Sequence, residues 1–282
     1  MQTINGLTWQ CRWSPTLGEL ESTHQEVWGT DDYVDTERPT VFCGLYSLND
    51  FYALWRHKGN KFCWWAGSDI RHFINGYWLD DKGRIRLNPA PLAKWINENC
   101  ESWVENDVEM EALKKLGIWS MVVPSFLGKV EDYEVSYQQS DRPKVYASVS
   151  GNDFELYRWE AIQKLSFDNP DIEFHLYGNT CIPPYFSGFE KNVVIHGRVP
   201  KERMNEEIKW MQGALRLTRF DGFSEILAKS VLMGQWPVSL IEYPHMLKVS
   251  EIGLLKDQKE PNYEGASYYC AKLNQYPWNL KK

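Results

Sequence analysis

The sequence predicts an α/β protein made of two parallel-sheet domains. Three observations predict it. Short apolar runs rich in aromatic and β-branched residues alternate with segments of helical apolar spacing. Glycine or proline punctuates most junctions. The alternation stops at the polar segment "VEDYEVSYQQSDRPK", which places a linker near residues 128–142, and then starts again.

Residues 1–38 are polar and aromatic and read as an extension without a regular element. From residue 39 "TVFCGLYS" reads as a buried strand, "LNDFYALWRHK" as a helix with Asn/Asp at its start, and "KFCWWAGSD" as a second strand ending in a turn. Strand, helix and strand within about 30 residues make a βαβ unit, which implies parallel pairing. "NGYWLDDKGRIRL" holds a hairpin-like turn, and "EMEALKKLGIWSMVVPSF" repeats helix, glycine and strand. After the linker come "KVYASVSG", "IEFHLYGN", "NVVIHGRV", "GALRLT" and "WPVSLIE" as five strands, separated by helices such as "DFELYRWEAIQKLSFD", "PKERMNEEIKWMQ" and "SEILAKSVLMG". That is the doubly wound pattern. A final helix and an aromatic tail close the chain. The expected division is 1–38 extension, 39–140 first domain, 141–258 second domain and 259–282 tail, with two facing Rossmann-like domains in the middle.

Composition bounds the function. With 282 residues, 43% apolar and 24% charged, the chain has the make-up of a globular protein with a full core. A net charge of −7 argues against a protein that coats nucleic-acid duplex. Six cysteines stand singly, without a C-x-x-C pair, as in a reducing compartment. No leader-like segment and no long apolar run occurs, so a cytoplasmic location without a membrane span is expected. Among the motifs, G-x-G-x-x-G, the P-loop, G-x-S-x-G, H-E-x-x-H and D-x-D are all absent, and no metal or other cofactor is expected.

Parallel sheets bind ligands outside the carboxyl ends of their strands. The positions to inspect are therefore Gly44, Gly67-Ser68-Asp69, Ser150-Gly151-Asn152, Tyr177-Gly178-Asn179, His196-Gly197-Arg198 and Arg216 to Ser224. The glycines let backbone approach a ligand closely. "TRFDGFSEILAKSVLMGQWPV" is the most specific stretch. A helix starting near Ser224 aims its N-terminal amides at the loop before it, a phosphate site, and Arg216 and Arg219 add charge for a diphosphate. Asp221 only accepts hydrogen bonds, which suits sugar hydroxyls. The plainer reading, in which Asp221 and Ser224 only cap the helix, stands beside it.

These residues resemble glycosyltransferases of the GT-B type, closest to the retaining group that includes sucrose and glycogen synthases. The resemblance covers roughly residues 40–245, and its strongest part is "LRLTRFDGFSEILAKSVLMGQWPV", against a family pattern of acid-Gly-Phe, two glutamates seven residues apart, and Gly-x-Pro-Val. "VVIHGRVPKERM" and "WWAGSDI" are similar to two further family segments. Three departures stand out. Asp221 takes the place of the first glutamate, Lys229 takes that of the second, and one extra residue separates Gly234 from Pro237. Lys229 also pairs at i,i+4 with Glu225, as a surface pair would.

The resemblance implies metal-independent transfer of a sugar, with retention, from a nucleoside-diphosphate sugar to an acceptor hydroxyl on a glycan or small molecule. Arg216, Arg219 and the helix start at Gly222, Phe223 and Ser224 would hold the diphosphate. Asp221 would hold the sugar, while Ser150, Gly151, Tyr177, Gly178, Arg198 and Val199 would line the nucleoside pocket and Lys229 would replace the ribose contact. Asp69, across a cleft, would contact the acceptor hydroxyl. Two alternatives remain at this point: transfer to hydroxymethylated bases of phage DNA, and a degenerate nucleotide-sugar-binding protein without activity.

Overall fold

The computed structural model describes residues 3–4, 7–17, 28–80, 83–126, 128–149, 154–178, 181–186 and 191–273. The chain divides into two compact units. The first takes in Met1–Lys129, Phe220–Phe223 and Lys272–Lys282, and the second Val130–Arg219 and Ser224–Ala271. Each is built on a six-stranded parallel sheet, so the doubly wound α/β class stands.

In the first unit a short antiparallel pair, β1 (Thr3–Ile4) and β2 (Leu7–Thr8), precedes β3 (Gln10–Trp13), β4 (Asp31–Asp32) and β5 (Thr40–Cys43). Then follow α1 (Leu48–Arg56), β6 (Lys61–Trp64) and α2 (Ser68–Ile74). The expected hairpin forms as β7 (Tyr77–Asp80) and β8 (Gly83–Arg86), and α3 (Pro89–Asn99), β9 (Glu101–Val104), α4 (Asp107–Lys114) and β10 (Ser120–Val122) complete the unit. The sheet order is β10-β9-β6-β5-β3-β4.

Two features depart from the sequence reading. The first 38 residues are not element-free, because β3 pairs in parallel with β5 and adds to the sheet. Trp9, Cys11 and Trp13 alternate with Gln10 and Arg12, a period-2 pattern that sends the three apolar side chains to one face. The helix α3 and strand β9 were also unanticipated. "PAPLAKWINEN" has a proline at its first helical position behind a capping Asn88, which is a helix start rather than a loop.

The sheet is covered on both faces, as parallel sheets are. Phe42, Cys63, Trp65 and Val104 enter one core, and Val41, Cys43, Phe62, Trp64 and Trp103 enter the other, which is rich in tryptophan. At the start of α1, Ser47 and Asp50 form a capping box: the Asp50 amide donates to Ser47 Oγ at 3.2 Å and the Ser47 amide donates back to Asp50 Oδ2 at 3.0 Å. Asp50 is also held by Arg12 and Ser14. Ser47→Ala removes the Oγ acceptor of the Asp50 amide while the Ser47 amide keeps its bond to Asp50, and a loss of about 1 kcal/mol is expected in urea unfolding. A loss below about 0.3 kcal/mol would contradict that role for the box.

The second unit contains β11 (Lys144–Ser148), α5 (Trp159–Asp168), β12 (Glu173–Tyr177), β13 (Val193–Gly197), α6 (Lys201–Ile208), β14 (Gly213–Arg216), α7 (Glu225–Leu232), β15 (Val238–Ser239) and β16 (Leu247–Lys248), with α8 (Tyr263–Leu273) following. The order β13-β12-β11-β14-β15-β16 places the strand run β11, β12, β14 at the centre. All five expected strands form, although β15 keeps only two residues of "WPVSLIE", and β16 is a sixth parallel strand beyond them. Among the described residues no helix is long and apolar enough to cross a membrane.

Candidate functional site

Because every strand in each sheet runs the same way, the strand-end residues of one unit gather on one edge. In the second unit this edge carries Tyr177, Gly178, Gly197, Arg198 and Arg216. Gly178 and Gly197 both have positive φ, +98° and +68°, and the Gly178 amide donates to the Gly197 carbonyl at 2.7 Å. That crossing needs residues without a Cβ penalty in the left-handed region. Arg198 is exposed and Val199 is half-buried, packed towards Tyr146 and Tyr177. The Arg216 guanidinium reaches the Ser148 carbonyl at 3.5 Å and lies 5.5 Å from the centre of the Tyr157 ring. Arg219 is exposed. Ser150 and Gly151 fall outside the described residues.

Tyr177 is buried, not displayed on the edge. Its ring stacks on His196 with centroids 4.2 Å apart, and its hydroxyl donates to Glu207 Oε2 at 2.7 Å. His196 in turn meets His175, Nε2 to Nδ1 at 2.8 Å, and His175 Nε2 lies 2.7 Å from Glu173 Oε1. Glu173 accepts at one end, so neutral His175 donates through Nε2 and accepts at Nδ1 from His196 Nε2–H. Burial holds both imidazoles below the usual histidine range.

Helix α7 begins at Ser224, the N-cap residue, whose side chain makes no capping hydrogen bond. The capping reading therefore does not account for Ser224. Lys229 is 8% exposed, and its Nζ donates to Asn205 Oδ1 at 3.0 Å. It is a buried helix residue rather than half of a surface pair, and burial lowers its pKa.

In the first unit the corresponding edge collects acids. Gly44, with φ +77°, sits against the Tyr46 ring and Leu17, and its amide donates to the Trp64 carbonyl. Asp69 is 0% exposed. Its Oδ2 accepts from the Leu45 amide at 2.9 Å, and its Oδ1 accepts from the Ala66 and Ile70 amides at 3.0 and 2.8 Å. Burial nevertheless pushes it up to about 6. With both oxygens engaged, Asp69 braces the loops after β5 and β6 and does not present itself to an acceptor hydroxyl, contrary to the expectation from sequence.

Asp221, Gly222 and Phe223 belong to this unit, where Glu105 and Glu109, two residues that sequence reading missed, meet them. Glu105 follows directly on β9 and is 6% exposed. Its Oε2 accepts from the Phe223 amide at 2.8 Å, and its Oε1 accepts from Ser125 Oγ and from the Ser125 amide at 3.3 Å. Glu109 is 4% exposed. Its Oε2 accepts from the Glu105 amide at 2.8 Å, while Oε1 has no hydrogen-bond partner. Burial pushes Glu105 up to about 8 and Glu109 well above the usual carboxylate range; the charge of Asp221 adds to the first shift and that of Glu105 to the second. Three donors favour an ionised Glu105, so Glu109 keeps its proton to the higher pH. Because the Phe223 amide is already given to Glu105, it adds nothing to a phosphate cradle. No cluster of metal-ligating side chains occurs among the described residues.

No protein-family model matches the chain, and no curated protein matches it in sequence. Solved structures do match in fold. A mutant of S. aureus TarM in complex with fondaparinux, alpha-GlcNAc-glycerol and UDP is 12% identical, covers 85% of this chain and 53% of its own, and gives a TM-score of 0.56. Sucrose-phosphate synthase from Thermosynechococcus elongatus is 10% identical over 94% of this chain and 75% of its own, with a TM-score of 0.57. Anabaena HepE in complex with UDP and glucose is 10% identical over 96% of both chains, with a TM-score of 0.55. The chain spans about half the length of TarM. At such identity the likeness is one of fold: two Rossmann-like domains of the GT-B kind.

Proposed function

We propose that the protein is a glycosyltransferase that moves a sugar from a nucleoside-diphosphate sugar to an acceptor hydroxyl. The observation that carries this reading is the second unit's sheet edge, where the glycine crossing Gly178–Gly197 lies beside strand ends bearing Arg198 and Arg216 in a fold whose relatives are solved with UDP. Fold alone does not assign chemistry, so the residues at that edge have to do so. Arg216, Arg219 and the Ser224 end of α7 hold the leaving diphosphate, whose charge grows as the sugar departs. Fixed cations aimed at that charge take the place of a divalent ion, and the absence of a D-x-D pair fits this. Asp221 receives sugar hydroxyls, Lys229 with Asn205 lies behind the nucleoside side, and transfer proceeds with retention, as in the group the sequence resembles.

The acceptor is a glycan or a small molecule. A DNA acceptor would call for a basic excess, whereas the chain carries a net charge of −7. Calorimetry with UDP, GDP, ADP, CDP and TDP, with and without Mg²⁺, tests the reading. One nucleotide should bind without metal, and Arg219→Ala should weaken it about tenfold, on the order of 1.4 kcal/mol. Binding of none of the five would end the transferase reading, and binding without turnover of the matching sugar nucleotide would leave a binding protein.

A further inference from the structure

The segment Asp221–Gly222–Phe223 is held residue by residue from the end of β9. Asn106 Nδ2 donates to the Asp221 carbonyl at 2.7 Å. The Phe223 amide donates to Glu105 Oε2 at 2.8 Å. Between them, Gly222 passes so close to Glu105 that an added Cβ would lie 1.4 Å from Oε2. On its other side an added Cβ on Gly67 would lie 3.2 Å from the Gly222 amide nitrogen and 2.9 Å from Glu109 Oε1. The holding groups are themselves fixed. Asn106 Oδ1 accepts from the Glu109 amide at the start of α4, Ser125 donates to Glu105 Oε1, and Glu109 Oε2 takes the Glu105 amide. A carbonyl, a van der Waals contact and an amide are thus fixed in three successive residues, which leaves that backbone little freedom.

We propose that Glu105 and Asn106 are positioning residues that set the backbone of Asp221–Phe223 for ligand binding. The inference rests on the transferase reading, in which Asp221 receives sugar hydroxyls and the chain just beyond it receives the diphosphate. Neither residue touches substrate. They act through the loop, and the buried Glu109 behind them makes the hold depend on protonation. Asp69, Glu105, Glu109 and Asp221 are the acids that face one another there, and Arg71 lies over the Phe220 ring at the segment's start.

The test uses the full chain and two probes: amide exchange of a peptide spanning residues 217–226, and calorimetric binding of UDP or whichever nucleoside diphosphate the wild type prefers. Glu105→Ala should speed exchange at Phe223 at least tenfold and weaken nucleotide binding at least tenfold. Glu105→Gln, which keeps an acceptor for the Phe223 amide, should restore both to within about threefold and flatten the pH dependence of binding between pH 6 and 9. Asn106→Asp keeps the cap on α4 but removes the donor to Asp221, and it should loosen the same peptide without unfolding the unit. It serves as the readout if Glu105→Ala fails to fold. Unchanged exchange in the folded variants overturns the inference, as does faster exchange with unchanged nucleotide affinity. If the wild type binds no nucleotide, the transferase reading falls, and exchange at Phe223 alone then decides whether Glu105 and Asn106 hold the loop.

Discussion

Gly222→Ala is expected to destabilise the first unit by on the order of 3–5 kcal/mol, from overpacking together with the loss of charge-assisted hydrogen bonds. The reason is space, not backbone conformation. An alanine Cβ would lie 1.4 Å from Glu105 Oε2 and 2.6 Å from its carboxyl carbon. Glu105 would then have to leave both the Phe223 amide and Ser125. A carboxylate displaced from its donors inside a buried site loses what made its burial tolerable. Gly117 provides the contrast. Its φ is +80°, and nothing lies within 4 Å of an added Cβ. Gly117→Ala should therefore cost only the strain of a left-handed alanine, about 1–2 kcal/mol, and leave nucleotide binding intact.

A double-mutant cycle of Gly222→Ala with Glu105→Ala tests that cause. With Glu105 already truncated to alanine, the added methyl of Gly222→Ala meets no carboxylate. Its further cost should drop, giving a coupling energy of roughly 1–3 kcal/mol by urea unfolding. Additive costs would show that the clash is relieved elsewhere and that Glu105 does not define the space at residue 222.

How much of this was legible in the sequence follows from where each signal lies. The strands of the second unit were legible because their apolar runs are bounded by glycine, proline or a polar turn, which is local information. β3 was equally legible, since Trp9-Gln10-Cys11-Arg12-Trp13 alternates, but the polar residues around it masked a run of four. Its polar positions are paid for by distant partners: Gln10 is buried against Thr40 and the amides of Val34 and Asp35, and Arg12 meets Asp50. Glu105 and Glu109 were not legible. "ENDVEMEALKK" reads as a solvated acidic helix start, but the chain at Gly67, Ser125 and Gly222–Phe223, distant in sequence, closes over its two buried glutamates. Likewise nothing local shows that Asp69 is spent on backbone amides of two loops, or that Lys229 lies inside. A strand-end rule applied to β9 would have marked Glu105 and Asn106, had the four residues of "ESWV" been recognised as a strand.

The two units should respond to pH in opposite directions. In the first, burial raises Asp69 from 3.8 to about 6 and Glu105 from 4.5 to about 8, and it holds Glu109 well above the usual carboxylate range. A carboxyl whose folded pKa lies above its unfolded value contributes most stability below the unfolded value and loses it as pH rises through the folded one. For Asp69 that window runs from about pH 4 to 6, and its shift corresponds to about 3 kcal/mol at 1.36 kcal/mol per unit. For the Glu105–Glu109 pair it runs from about pH 4.5 through 8. In the second unit His175 and His196 are held below 6.5. A histidine with a depressed folded pKa costs stability as pH falls below 6.5 and is neutral above it. The groups facing this pair are Glu173, Glu207, Lys144 and Arg203, and the two lowered glutamates also lose stability only on acidification. Between pH 6.5 and 8 the second unit should therefore stay level while the first weakens by on the order of 2–4 kcal/mol. The two can be read apart, since ten of the 14 tryptophans lie within the first 119 residues and report the first unit by fluorescence. The urea midpoint of that signal should fall from pH 6.5 to 8, while exchange-derived stability of β11, β12 and β14 holds. Glu109→Gln removes the second charge from the buried pair and should flatten the fall. A midpoint that rises over this range, or a Glu109→Gln slope as steep as wild type, would show that the acids at the end of β9 do not carry their protons into neutral pH.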